Sequence, residues 1–194
     1  MAMMIFLAGL LLFLGVHSVR IVADDWRDQQ RRTLGVDTWR GIYAVLSLIG
    51  LALLVWGWGM VRETPTLIWI PPRGMRHAAS LFTLLAFILL VAAYVPGNAI
   101  KAWVHHPMVA GVKLWAVAHL MANGNLAHII LFGSFLAWAV VDFIAARKRD
   151  RLLGSVRAAS SVQATVITVV VGVVSWGVFA FWLHGWLIGV KPFG

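Results

Sequence analysis

The sequence predicts an all-α fold, an integral membrane bundle of about six transmembrane helices. Three observations carry that expectation. Of the 194 residues, 61% are hydrophobic and only 12% charged, and the mean hydropathy is +0.88. A soluble domain is about a quarter charged, so this chain cannot cover a globule with polar surface, whereas a bilayer tolerates such an exterior. Eleven Trp fit a chain that crosses membrane interfaces, where indoles collect. Finally, the basic residues fall in short stretches between apolar runs. The formal charge of +9 is therefore read as membrane topology, with no nucleic-acid partner. One bundle over residues 1–194 is the expected domain organisation.

The first segment covers about residues 2–23. It lacks a basic leader and a small-x-small cleavage site, which argues for a retained helix rather than a signal peptide. The second covers about 39–61. The third covers about 78–95 and is stopped by Pro96-Gly97-Asn98. The fourth starts at Pro107, a good first-turn residue, and ends at Asn123-Gly124-Asn125. The fifth covers about 126–146 and the sixth about 165–190.

The fourth segment is only about 24 Å of helix, short for a hydrocarbon core of about 30 Å. Charge parity argues that it spans. Loop 23–40 carries Arg27, Arg31, Arg32 and Arg40; loop 147–164 carries Arg147, Lys148, Arg149, Arg151 and Arg157. Both belong on the cytoplasmic side, so an even number of crossings separates them. Six spans follow, with both termini outside. The loop 62–77, with Trp69, Pro71 and Pro72, reads as a segment lying on the outer interface.

There is no Cys, which excludes disulfides, thiolate metal sites and Cys nucleophiles. The sequence shows no Ser–His–Asp pattern, phosphate loop, paired carboxylates or dinucleotide fingerprint. The seven His remain for metal or acid–base chemistry. By depth, His17 lies toward the inner end of the first helix, and His105 and His106 at the inner start of the fourth. His119 lies toward the outer end of the fourth, His128 at the outer start of the fifth, His184 toward the outer end of the sixth, and His77 at the outer edge of the third.

A histidine within a span reads as functional, or simply as a hydrogen-bonding partner for a neighbouring helix. Intramembrane His without Cys suits haem iron, or zinc or copper, held between helices. Lys113, deep in the fourth segment, is either a snorkelling side chain or the counter-charge for an anionic ligand group such as a carboxylate. Asp142 is expected to pair with Arg147. Gly185 to Gly189 matches G-x-x-x-G, a spacing that permits close helix contact.

The stretch HPMVAGVKLWAVAHLMANG from His106 to Gly124 resembles the signature of the NnrU family. Leu131 to Trp138, the early Gly15-Val16-His17-Ser18 and the late His184-Gly185 extend the resemblance over nearly the whole chain. The resemblance implies a bacterial inner-membrane protein associated with nitrite and nitric oxide reduction in denitrification. That family is similar to the plant zeta-carotene isomerase, a membrane enzyme with haem b. Through it, His17 and His119 match the proposed haem ligands, and Ala116 stands where the isomerase motif has Cys. His106 and Lys113 are the further candidates for cofactor contact. Depth alone leaves two other pairings open, His119 with His184 or His17 with His106. His106-Pro107 also resembles an element of membrane methyltransferases, with His105 where those enzymes carry Arg.

The resemblance thus implies haem b as cofactor, and the lipid bilayer with a small hydrophobic ligand or nitric oxide as partners. It implies a non-enzymatic haem factor first, a haem-dependent isomerase of a lipophilic polyene second, and a methyltransferase third.

Overall fold

A computed structural model of the chain describes residues 1–154 and 159–193, so Arg157 of the second basic loop lies outside the described residues. The protein is an all-α membrane bundle. Among the described residues, five helical segments are long and apolar enough to cross a membrane, and Pro107–Ala122 is a shorter apolar helix. The contacts divide the chain into two compact units, Met1–Trp69 with Asn125–Ser134, and Ile70–Gly124 with Phe135–Gly194.

The first unit is built on helices α1 (Ala2–Val22) and α3 (Val36–Val61). They run antiparallel, with Phe6 against Gly57, Gly9 against Leu54 and Phe13 against Gly50. A Cβ on Gly9 would collide with the Leu54 backbone, and one on Gly57 with that of Phe6; on Gly50 it would come 2.8 Å from the Phe13 nitrogen. Glycine lets two membrane helices approach backbone to backbone, where dispersion rather than the hydrophobic effect holds them. Phe6, Leu10 and Leu54 are buried in that seam.

Between these helices lies α2 (Asp24–Leu34), where hydropathy gives only a loop. The segment is helical because its charges suit a helix. Asp24 and Asp25 occupy the first turn and Arg31 and Arg32 the last, as the macrodipole favours. Arg27 sits 3.2 Å from Asp24 and 2.8 Å from Asp28, and Arg31 sits 3.4 Å from Asp28. Gly35 turns the chain into α3 at φ 84°, a conformation glycine adopts without strain. The first turns of α7 (Leu126–Leu152) complete the unit. They are joined to the preceding loop by the Leu126 N–H donating to the Thr66 carbonyl at 2.8 Å and by a bridge between Leu67 and Asn125.

The second unit holds α4 (Met75–Tyr94), α5 (Ala99–Val104), α6 (Pro107–Ala122), the remainder of α7 and α8 (Val162–Val178). A π-helical turn, Phe179–Leu183, carries α8 into α9 (His184–Ile188). α4 is the shared wall. Gly111 of α6 lies on it near Ala86, Leu89 and Leu90, and Gly172 of α8 near Ile88. The Trp176 indole donates to Thr83 Oγ1 at 3.0 Å, which sets α8 antiparallel to α4. α6 is antiparallel to α7, since Trp115 meets Phe135 while Lys113 meets Phe143. The short α6 is thus packed against both α4 and α7.

The stop after the third apolar segment is a hydrogen-bonded knot. Asn98 is 1% exposed; its Oδ1 accepts the Lys101 N–H at 2.7 Å and its Nδ2 donates to the Ala92 carbonyl at 2.9 Å.

Two expectations are corrected. Asp142 lies 3.9 Å from Arg149, while Arg147 lies 3.7 Å from Asp150. The G-x-x-x-G at 185–189 is no helix contact: Gly189 is the left-handed C-cap of α9 at φ 75°, and a Cβ on Gly185 meets only the Lys191 side chain.

Candidate functional site

In the first unit, His17 sits in α1 with Nδ1 2.7 Å from the Phe13 carbonyl. A carbonyl only accepts, so Nδ1 carries a proton, as in the tautomer that ligates through Nε2. The Phe13 ring lies 4.3 Å away and the Tyr43 ring 5.3 Å away, edge-on. His128, in the first turn of α7, meets the Trp58 indole edge-on at 4.8 Å and the Phe132 ring at 6.1 Å. Its Nδ1 is buried with no hydrogen-bond partner among the described residues.

The second unit repeats the His17 arrangement at His119. Nδ1 donates to the Trp115 carbonyl at 2.8 Å, the Trp115 ring lies 5.1 Å off, and the His119 carbonyl accepts from Asn123. The helix alone creates this geometry, because a carbonyl four residues back stands beside each ring. Fixing Nδ1–H is how proteins orient a histidine that ligates through Nε2. His17 and His119 belong to different units. His184 donates to the Val190 carbonyl at 2.6 Å beyond the π-helical turn.

His106 and Lys113, seven residues apart, share one face of α6 and meet the same side chain. The Lys113 ammonium lies 3.6 Å from the centre of the Phe143 ring, within cation–π range. The His106 ring stands edge-on to Phe143 at 6.1 Å.

Asp150 dominates this corner. Asp150 Oδ2 accepts from His106 Nε2 at 2.9 Å, and lies 3.5 Å from His105 Nδ1 and 3.7 Å from Arg147. The backbone is strained to make this possible. His105 has φ 64° and ψ −47°, and the His106 N–H donates to the Val104 carbonyl at 2.8 Å. That is a γ-turn of the rare positive-φ kind, a conformation costing of order 1–3 kcal/mol in a non-glycine residue. The turn brings two consecutive imidazoles to one carboxylate oxygen. The one signal in the sequence was Asp150 itself, the single acid in the basic run 147–151.

Among the described residues no three His, Asp or Glu gather as a metal-binding cluster. A bare zinc ion takes three or four protein ligands, whereas porphyrin iron needs one or two axial ligands.

A family model described as NnrU protein matches residues 5–192. The chain belongs to the NnrU family. No curated protein and no solved structure matches it. As an NnrU member it carries each residue of the resemblance on an apolar helix or at its cap: His17 on α1, His106 as N-cap of α6, Lys113 and His119 within α6. Ala116 is fully buried, so that position offers no reactive atom.

Proposed function

We propose that this NnrU protein is a haem b-binding protein of the bacterial inner membrane that serves nitrite and nitric oxide metabolism. Both termini are periplasmic and the basic loops cytoplasmic. His17 and His119 are each a candidate ligand of the haem iron, Lys113 would face a carboxylate of the cofactor, and His106 is a further candidate contact. The observation that carries the reading is the pair of Nδ1–carbonyl bonds at His17 and His119. Each fixes Nδ1–H, the tautomer in which Nε2 is the ligating nitrogen, on an imidazole set in an apolar helix beside aromatic rings.

Bound haem would supply an iron that takes up nitric oxide or passes an electron. The chain's own residues fix the imidazole tautomers and wall them with Phe13, Tyr43 and Trp115. They also set a cation, Lys113, inside the span, held against a ring face.

The competing reading is a haem-dependent isomerase of a lipophilic polyene. The buried methyl of Ala116 in place of the isomerase Cys favours the non-enzymatic factor. The deciding experiment titrates reduced, purified protein with nitric oxide and, in parallel, incubates it with cis-polyenes. Nitric oxide uptake with no isomer conversion is expected. Conversion of a polyene by catalytic amounts of protein overturns the reading in favour of the enzyme.

A further inference from the structure

The corner between α2 and α3 forms an open groove of about 300 Å³ lined by Asp28, Arg31, Arg32 and Val36. Its place in the fold is set by chain connectivity. α1 and α3 are antiparallel apolar helices, and α2 is tied to them by single residues, Ala23 and Gly35. α2 therefore lies across the end of the hairpin, where apolar helix gives way to charge. Trp26 of α2 is 50% exposed, and its ring meets Trp39 of α3 edge-on at 5.7 Å. Such indole pairs mark the headgroup level of a bilayer.

The groove's charge is unevenly balanced. Asp28 is held by Arg27 at 2.8 Å, so the contact from Arg31 at 3.4 Å is its second. Arg32 is exposed and has no carboxylate within ion-pair distance among the described residues. Two guanidiniums thus share a groove whose one carboxylate is already neutralised. Val36, which lines the groove, and Leu34, two residues before it in the chain, are apolar and more than a third exposed. Guanidinium groups bind phosphate in bidentate fashion, and the wall next to them suits hydrocarbon.

We propose that this corner binds one anionic phospholipid, with Arg31 and Arg32 on the phosphate and Leu34 and Val36 along the start of an acyl chain. A phospholipid is the occupant that brings an anion and an apolar chain together at this level of the bilayer. The site lies on the first unit and does not depend on the haem reading.

The test uses the full chain in phosphatidylcholine vesicles doped with a phosphatidylglycerol that bears a diazirine at the head of its acyl chain. A phosphatidylcholine analogue with the same diazirine is the comparator. Labelled peptides are mapped. The phosphatidylglycerol probe is expected to label residues 34–39 roughly tenfold more than the comparator, a difference of about 1.4 kcal/mol. Arg31→Gln with Arg32→Gln removes that excess, while Arg73→Gln keeps it. If the double variant does not fold, Arg32→Gln alone is expected to lower it, because Arg32 supports no ion pair within α2. Inorganic phosphate does not compete. Equal labelling by both headgroups, an excess that survives loss of the arginines, or displacement of the lipid by inorganic phosphate overturns the proposal.

Discussion

His106 Nε2 donates to Asp150 Oδ2 across 2.9 Å, joining the start of α6 to the end of α7. The same oxygen is shared with His105, the centre of a strained γ-turn. Asp150→Asn weakens this acceptor and is expected to cost about 1–3 kcal/mol. His105→Gly relieves the positive φ and recovers up to about 1 kcal/mol, less the weaker contact it deletes. Thermal unfolding in detergent checks the pair: Asp150→Asn lowers the midpoint, and His105→Gly lowers it far less. The reverse order would show that the turn is not strained.

Glycine packing in the first unit gives a second prediction. Gly57→Leu forces a side chain into the Phe6 backbone and is expected to lower stability by at least about 2 kcal/mol, because the helices must part. Gly59 has open space around it, so Gly59→Ala is neutral or gains about 0.5–1 kcal/mol from helix propensity. Comparing the two melting midpoints checks the seam directly.

The fold was legible because hydropathy is a local property. The stop at Pro96-Gly97-Asn98, the start at Pro107 and the break at Asn123-Gly124-Asn125 all fall where the sequence sets them. α2 escaped notice because a charged helix has no apolar stripe to count; its ion-pair ladder becomes visible only at spacings of three and four. The close-contact glycines escaped too. Gly50 and Gly57 are seven residues apart, while the G-x-x-x-G that did match ends at a C-cap. At the candidate site, helix geometry permits the Nδ1–carbonyl bonds of His17 and His119 but does not guarantee them, since His184 turns to the Val190 carbonyl instead. Asp150 meets His106 only through tertiary packing across 44 residues, which no local pattern records.

Lys113 rests on the Phe143 face, a contact worth about 0.5–2 kcal/mol. Lys113→Met is expected to lower haem content while the protein stays folded, because it deletes the cation proposed for a cofactor carboxylate. Phe143→Leu is expected to keep haem and lose only stability. Haem content and melting midpoint measured on both variants separate the two roles.

Topology is checked by reporter fusions. A fusion after Val61 is expected to report the periplasm and one after Arg157 the cytoplasm. Cytoplasmic signal from the first, or periplasmic signal from the second, contradicts six alternating crossings.

The central claim is tested most directly by the absorption spectrum of the full chain purified in detergent from haem-replete cells. A Soret band that shifts on reduction is expected. Its intensity should fall severalfold in His17→Ala and in His119→Ala, yet remain unchanged in His77→Ala, whose imidazole is exposed at the start of α4. Purified protein with no Soret band, or His17 and His119 variants that retain the full band, would contradict the account.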